Sequence, residues 1–239
     1  MNYYNENGPT QSSYGRSSAI TQTNTVLKKV YVRMFIGLLV SAFCALGVAS
    51  SETLLHIFVV NRWMYWGMFI AMLAMAWILP ARLTTMKTST ALGLFLLFSA
   101  MMGTSLSVIF LAYTPGTIVY TFFITAGVFG AMSVYGYFTK TDLSKMGTYL
   151  IMALFGLIIA SVVNVFVASD TLMWIISYAG VLIFVGLTAW DTQQIKRMAA
   201  ANLEPSLSDK LATLGALNLY LDFINLFLFL LRIFGGSRD

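Results

Sequence analysis

Thr88–Thr139 reads TSTALGLFLLFSAMMGTSLSVIFLAYTPGTIVYTFFITAGVFGAMSVYGYFT, 52 residues without an Asp, Glu, Lys or Arg. At about 1.5 Å per residue, a helix of that length far exceeds one crossing of a hydrocarbon core of about 30 Å. The stretch is therefore two crossings. Tyr113-Thr114-Pro115-Gly116 supplies the turn between them, because Pro and Gly punctuate helices and set turn geometry. Backbone groups in lipid need partners within their own segment, so each crossing is a helix; the period-2 alternation of a barrel strand is absent. A soluble protein with several buried helices does not carry such a run.

Segments of the same kind lie on both sides of it. The full set is 30–49, 63–81, 89–112, 117–138, 147–168, 172–190 and 211–231. Composition agrees: 59% of the 239 residues are hydrophobic and 10% are charged, against about 25% charged in a soluble domain. The expected fold is all-α, an integral membrane bundle of seven transmembrane helices. Residues 1–26 are rich in Asn, Ser, Thr, Gln and Gly and are expected to form a disordered polar cytoplasmic tail, with the membrane domain at 27–239. The tail lacks the basic start, apolar stretch and cleavage site of a signal peptide. Cys44, the single cysteine, cannot form an intramolecular disulfide or build a cysteine metal site, and reads as a small packing residue.

The net charge of +5 is a topology signal. With the N-terminus inside, the inner side holds Arg16, Lys28, Lys29, Arg33, Arg82, Lys87, Lys140, Lys145, Lys196, Arg197 and Lys210, and the outer loops hold only Arg62. These residues sit in short loops and form no nucleic-acid patch, so no nucleic-acid partner is expected. Arg232 and Arg238 conflict with the rule if the last segment crosses fully. Either six spans already fix the topology, or the seventh segment enters and returns. A full crossing is the preferred reading. Two repeats of small residues, Ser99-Gly103-Ser107 and Gly156-Ala160-Asn164, are expected to be close-packed helix faces, with Asn164 a structural hydrogen-bond partner.

The chemistry concentrates on Asp222. In Leu217-Asn218-Leu219-Tyr220-Leu221-Asp222-Phe223-Ile224-Asn225-Leu226-Phe227 it is the one ionisable group other than tyrosine between Leu211 and Leu231. A carboxylate at such depth costs roughly 2.5–3.5 kcal/mol on insertion scales, so it faces a cavity, a partner or an ion path. Asn218 and Asn225 stand at i−4 and i+3 and share its helical face, as a supporting polar stripe. Asp191 ends the sixth segment near Lys196 and Arg197. Read alone, it is equally an interfacial acid in water. Depth along the two helices does not by itself bring it to Asp222; a tilted sixth helix or a watery inner vestibule would be needed.

Three motifs together resemble the Bax inhibitor-1 family: Asp142-Leu143-Ser144 after Gly136-Tyr137-Phe138-Thr139-Lys140, Phe184 through Lys196 with Trp190-Asp191-Thr192, and Leu219 through Phe227. The resemblance covers the chain from about residue 27 and points to a bacterial member. It implies seven helices with the seventh central, and a pH-sensitive calcium leak of the bacterial inner membrane with roles in calcium balance and stress response. It also implies that the family's paired aspartates match Asp191 and Asp222, as contact points for the metal ion and as pH sensor. Bacterial relatives carry a basic residue near the inner end of the second helix that engages the first aspartate. Arg82, displaced by Pro80, is the candidate gating partner here. Some relatives are linked to a membrane-bound quality-control protease, which is a candidate partner beside the lipid bilayer and calcium.

The chemistry of such a pair follows from its charges. Burial and mutual repulsion oppose the doubly ionised state, so two carboxylates in a dry site share one proton and titrate in coupled steps. Calcium takes about 6–8 oxygen ligands, more than two carboxylates supply, so waters or carbonyls complete the shell and binding is weak, as conduction requires. No cofactor is expected, calcium being the permeant ion. An enzyme is not expected either. The Gly-rich approach of an intramembrane aspartyl protease is missing before Asp222, and His56, the lone histidine, is placed in an outer loop away from Ser105. A proton-coupled transporter and a membrane regulator binding the protease remain the alternative functions; no pair of interrupted helices announces the former.

Overall fold

The computed structural model describes residues 10–83, 85–201 and 204–235, with side chains from residue 21 onward. Seven long helices are present among these residues: α1 (Thr10–Ala49), α2 (Arg62–Ala81), α3 (Thr88–Leu106), α4 (Pro115–Phe138), α5 (Ser144–Val167), α6 (Asp170–Ala200) and α7 (Pro205–Phe234). All seven are long and apolar enough to cross a membrane, and the described residues contain no strand. A further short turn, Ile109–Ala112, prolongs α3 toward the α4 turn. Between α1 and α2, Glu52–Leu55 and a widened turn at His56–Val60 form the connection that carries His56.

Local signals set the helix ends. Thr114 accepts from the Thr117 N–H and Pro115 takes the first helical position of α4, so the Thr-Pro-Gly turn falls where the sequence puts it. Asn61 caps α2 through the Trp63 and Met64 N–H groups, and Ser169 caps α6 through Leu172. Asn164 accepts from the Ser169 N–H at 3.1 Å, closing the α5–α6 turn around Ala168, whose φ of 51° is left-handed.

Residues 10–26 depart from the expected unstructured tail. From Thr10 the backbone is helical, and Thr23 and Val26 are already buried, so the packed domain begins before residue 27. Residues 1–9 lie outside the described residues. The physical reason is cooperativity: once α1 is nucleated by its packed apolar turns, adding polar residues at its end costs little.

α7 is the axis of the bundle. Of its most apolar window 67% is buried, against 6% for α5. It packs along α1, α3, α4 and α6, while α2 leans on α3 and α5 leans on α6. Helices α2 and α5 therefore flank a gap through which the middle of α7 is reached.

Small residues set two close approaches. A Cβ on Gly103 would overlap the Ser41 backbone, and one on Gly136 would overlap the Ala189 carbonyl. Ser99, Gly103 and Ser107 are buried, the first two against Ser41 of α1. The second repeat is different: Gly156 is exposed with nothing within 4 Å. It faces the surrounding lipid, because α5 is a peripheral helix.

Candidate functional site at the α6–α7 contact

Asp191 does not end its helix. Helix α6 runs on to Ala200, with Ile195 and Ala199 buried on its inward face, and Asp191 itself is 8% exposed. Asp222, at 5% exposure, lies opposite it on α7. The two carboxyl groups are within hydrogen-bonding reach of each other, and Asn218 reaches Asp191 as well. Asp222 Oδ2 is buried and has no hydrogen-bond partner among the described residues. Among the described residues no cation pairs with either group; the polar side chains that act on them are the two aspartates and Asn218. Among those residues the site is a paired acid without a counter-ion.

The pair opens onto a cleft of about 770 Å³ that reaches outward between α2 and α5. Asn218, Asp222 and Asn225 all line it. Asn225 donates Nδ2 to the Leu221 carbonyl at 2.8 Å. Among the described residues no group of three or more His, Cys, Asp or Glu side chains comes together. Oxygens from water and from the two amides would have to complete a calcium shell here.

Arg82 does not reach Asp191. It is exposed at the C-terminal cap of α2, its N–H bonded back to the Ile78 carbonyl, with Pro80 inside the last turn of the helix.

Two features beside the pair escape a reading of the sequence. Tyr220, wholly buried, meets Ser41 of α1 at 2.7 Å, and Ser41 donates to the Ser99 carbonyl of α3 at 2.7 Å. Edge contacts from Phe95 and Phe98 hold the Tyr220 ring. A phenol two residues before Asp222 in an apolar run is the signal that points to it.

The second feature is a clasp one turn below Asp191. Gln193 accepts from the Leu143 N–H at 2.9 Å and donates to the Thr141 carbonyl at 2.8 Å, while Arg197 binds Asp142 at 2.6 Å and Ser144 at 2.7 Å. Lys196 donates to the Tyr137 carbonyl at 2.6 Å. On the same end of the bundle Lys29 pairs with Asp209 at 2.7 Å and Arg33 donates to Thr213 at 2.8 Å, tying α1 to α7. Lys29, Arg33, Lys196 and Arg197 thus gather at one end.

The clasp does not titrate with the pair. The Ser144 backbone N–H and the Arg197 guanidinium hold the Asp142 carboxyl down at about 2. Its contribution is present above the ordinary carboxylate value and lost only as pH falls toward that lowered one. Gln193→Ala should be the costly change in the clasp, by about 1–3 kcal/mol, since it leaves the N–H of buried Leu143 unpaired. Arg197→Ala removes an exposed pair and should matter less. Thermal unfolding in detergent checks the order; an equal or larger shift for Arg197→Ala would reverse it.

Residues 23–239 match the family model described as inhibitor of apoptosis-promoting Bax1. The chain belongs to the Bax inhibitor-1 family. It is 46% identical over 231 residues to the inner membrane protein YbhL of Escherichia coli, covering 94% of this chain and 99% of that one. It is also 46% identical over 217 residues to an uncharacterized protein of Borreliella burgdorferi, covering 90% and 94% of the two chains. A protein of Rickettsia prowazekii, likewise uncharacterized, is 43% identical over 211 residues, covering 88% and 89%. Together with the seven apolar helices, these matches make the chain a multi-pass membrane protein of this family.

Proposed function

We propose that this protein is a pH-sensitive calcium leak of the bacterial inner membrane, gated by Asp191 and Asp222. The observation that carries the reading is the buried contact of two carboxyl groups with no cation beside them among the described residues. One shared proton ties α6 to α7 and closes the path. Losing it leaves two like charges in a poorly hydrated site, and their repulsion is relieved by an entering cation or by helix separation. Asp222 Oδ2, which has no partner among the described residues, is the free acceptor that such a cation meets first. Asn218 and Asn225 line its approach. Weak ligation by so few oxygens suits an ion that must leave again.

The test is calcium flux into liposomes holding the purified protein, across pH. Asp191→Asn keeps the shape and removes one titrating group, so it should flatten the pH dependence. Asp222→Asn should do the same and the double variant should add little, because residues acting as one unit are not additive. Separate, additive shifts of the pH midpoint would sink the shared proton. Wild-type liposomes without calcium flux would sink the leak itself and favour the protease-binding role.

The orientation proposed with this reading has the N-terminus in the cytoplasm, placing the basic end of the bundle inside. A reporter fused after Lys145 should then read inside and one after Asp239 outside. An inside reading at both would make the seventh segment re-entrant.

A further inference from the structure

The cleft beside the aspartate pair has a composition that the pair does not explain. Its walls are apolar: Phe69, Leu73 and Ala76 from α2, and Leu154, Ile158 and Val162 from α5. These residues stand in the middle of their helices, not at the ends. Phe69, Leu73, Ile158 and Val162 are at once cleft wall and exposed outer surface, so the cleft opens sideways and its rim continues the face that meets lipid tails. At its inner end the Trp190 ring lies against the cleft, with Nε1 buried and without a partner among the described residues.

Something must fill this space in a membrane. Water needs two to four polar partners, and the apolar walls offer none along most of the length. An empty cleft of about 770 Å³ would forfeit the dispersion contacts of every side chain that lines it. What stands at the open side is hydrocarbon. We propose that an acyl chain of a bilayer phospholipid occupies the cleft between α2 and α5, entering sideways and lying against Trp190 over the aspartate pair. In the closed state the chain supplies the packing that neither α2 nor α5 gives to the middle of α7 and keeps bulk water from the two carboxyl groups on that side; a hydrated cation approaching along Asn218 and Asn225 displaces it.

Fluorescence tests this independently of any calcium flux, so its failure is distinguishable from failure of the leak. Trp63, Trp66, Trp77 and Trp174 are exposed, and their replacement by Phe leaves Trp190 as the single reporter in the full chain. In vesicles whose phospholipids carry bromine at mid-chain, Trp190 emission should be strongly quenched, while water-borne acrylamide should quench it little. Filling the cleft with Ala76→Phe should lower the quenching by brominated lipid, and Ser161→Phe on the opposite wall provides a second filling variant should the first not fold. Quenching by acrylamide and not by brominated lipid would mean a water-filled cleft and overturn the proposal. Protection from both would mean a cleft closed or filled by protein, and would overturn it too. Quenching by brominated lipid that neither filling variant reduces would show that the lipid reaches Trp190 by another route, and the proposal would fall on that result as well.

Discussion

Asp222→Ala should lower the initial calcium flux by about tenfold or more while the protein remains folded and inserted. A charged acceptor contact is worth roughly 1.5–3 kcal/mol, and each 1.4 kcal/mol corresponds to about a factor of ten. Folding should survive, because the substitution removes a buried acid with an unpartnered oxygen from a helix otherwise held by Leu219, Tyr220, Phe223 and Leu226. Flux equal to wild type at every pH, at matched protein amounts, would remove Asp222 from the permeation path.

The second large effect is structural. Gly136 of α4 packs on the Ala189 carbonyl of α6, two residues before Asp191, and a Cβ there overlaps backbone that cannot rotate aside. Gly136→Val should cost at least the roughly 1–3 kcal/mol of ordinary overpacking, because α4 must move off α6 as a body. Gly156→Val is the matched control on exposed α5, with nothing within 4 Å, and should be close to neutral. Thermal unfolding of both in the same detergent decides the matter. Equal shifts would mean that the α4–α6 approach is looser than the geometry states.

The spans are legible in the sequence because lipid imposes one rule on every segment, and the Thr114-Pro115 turn is legible because capping is local. Helix ends are less so. Helices α1, α6 and α7 run to Thr10, Ala200 and Pro205, past the apolar segments, since polar residues beyond the lipid continue a helix until a breaker stops it. Pro205 is such a marker, at the first turn of α7. Where α6 stops decides between the two readings of Asp191: at the end of a helix it is an acid in water, inside one it is half of a pair. The Gly156 repeat shows a different limit. Small residues at helical spacing look alike whether they meet a neighbouring helix or the bilayer, and only the placement of α5 distinguishes them. The role of Gln193 is not legible at all, because its partners belong to the α4–α5 connection, some fifty residues away in the chain.

The central position of α7 has a consequence for biogenesis. A ribosome delivers segments in order, at about 5–20 residues per second, so α1 to α6 enter the bilayer before the helix around which they are arranged. During that interval Asp191 is in the membrane without Asp222, and the faces of α1, α3, α4 and α6 that will meet α7 have no partner. The nascent shell is hollow, and it carries half of the acid pair. The arrival of one helix then completes the core and the acid pair in a single event, so a chain stalled short of it lacks both.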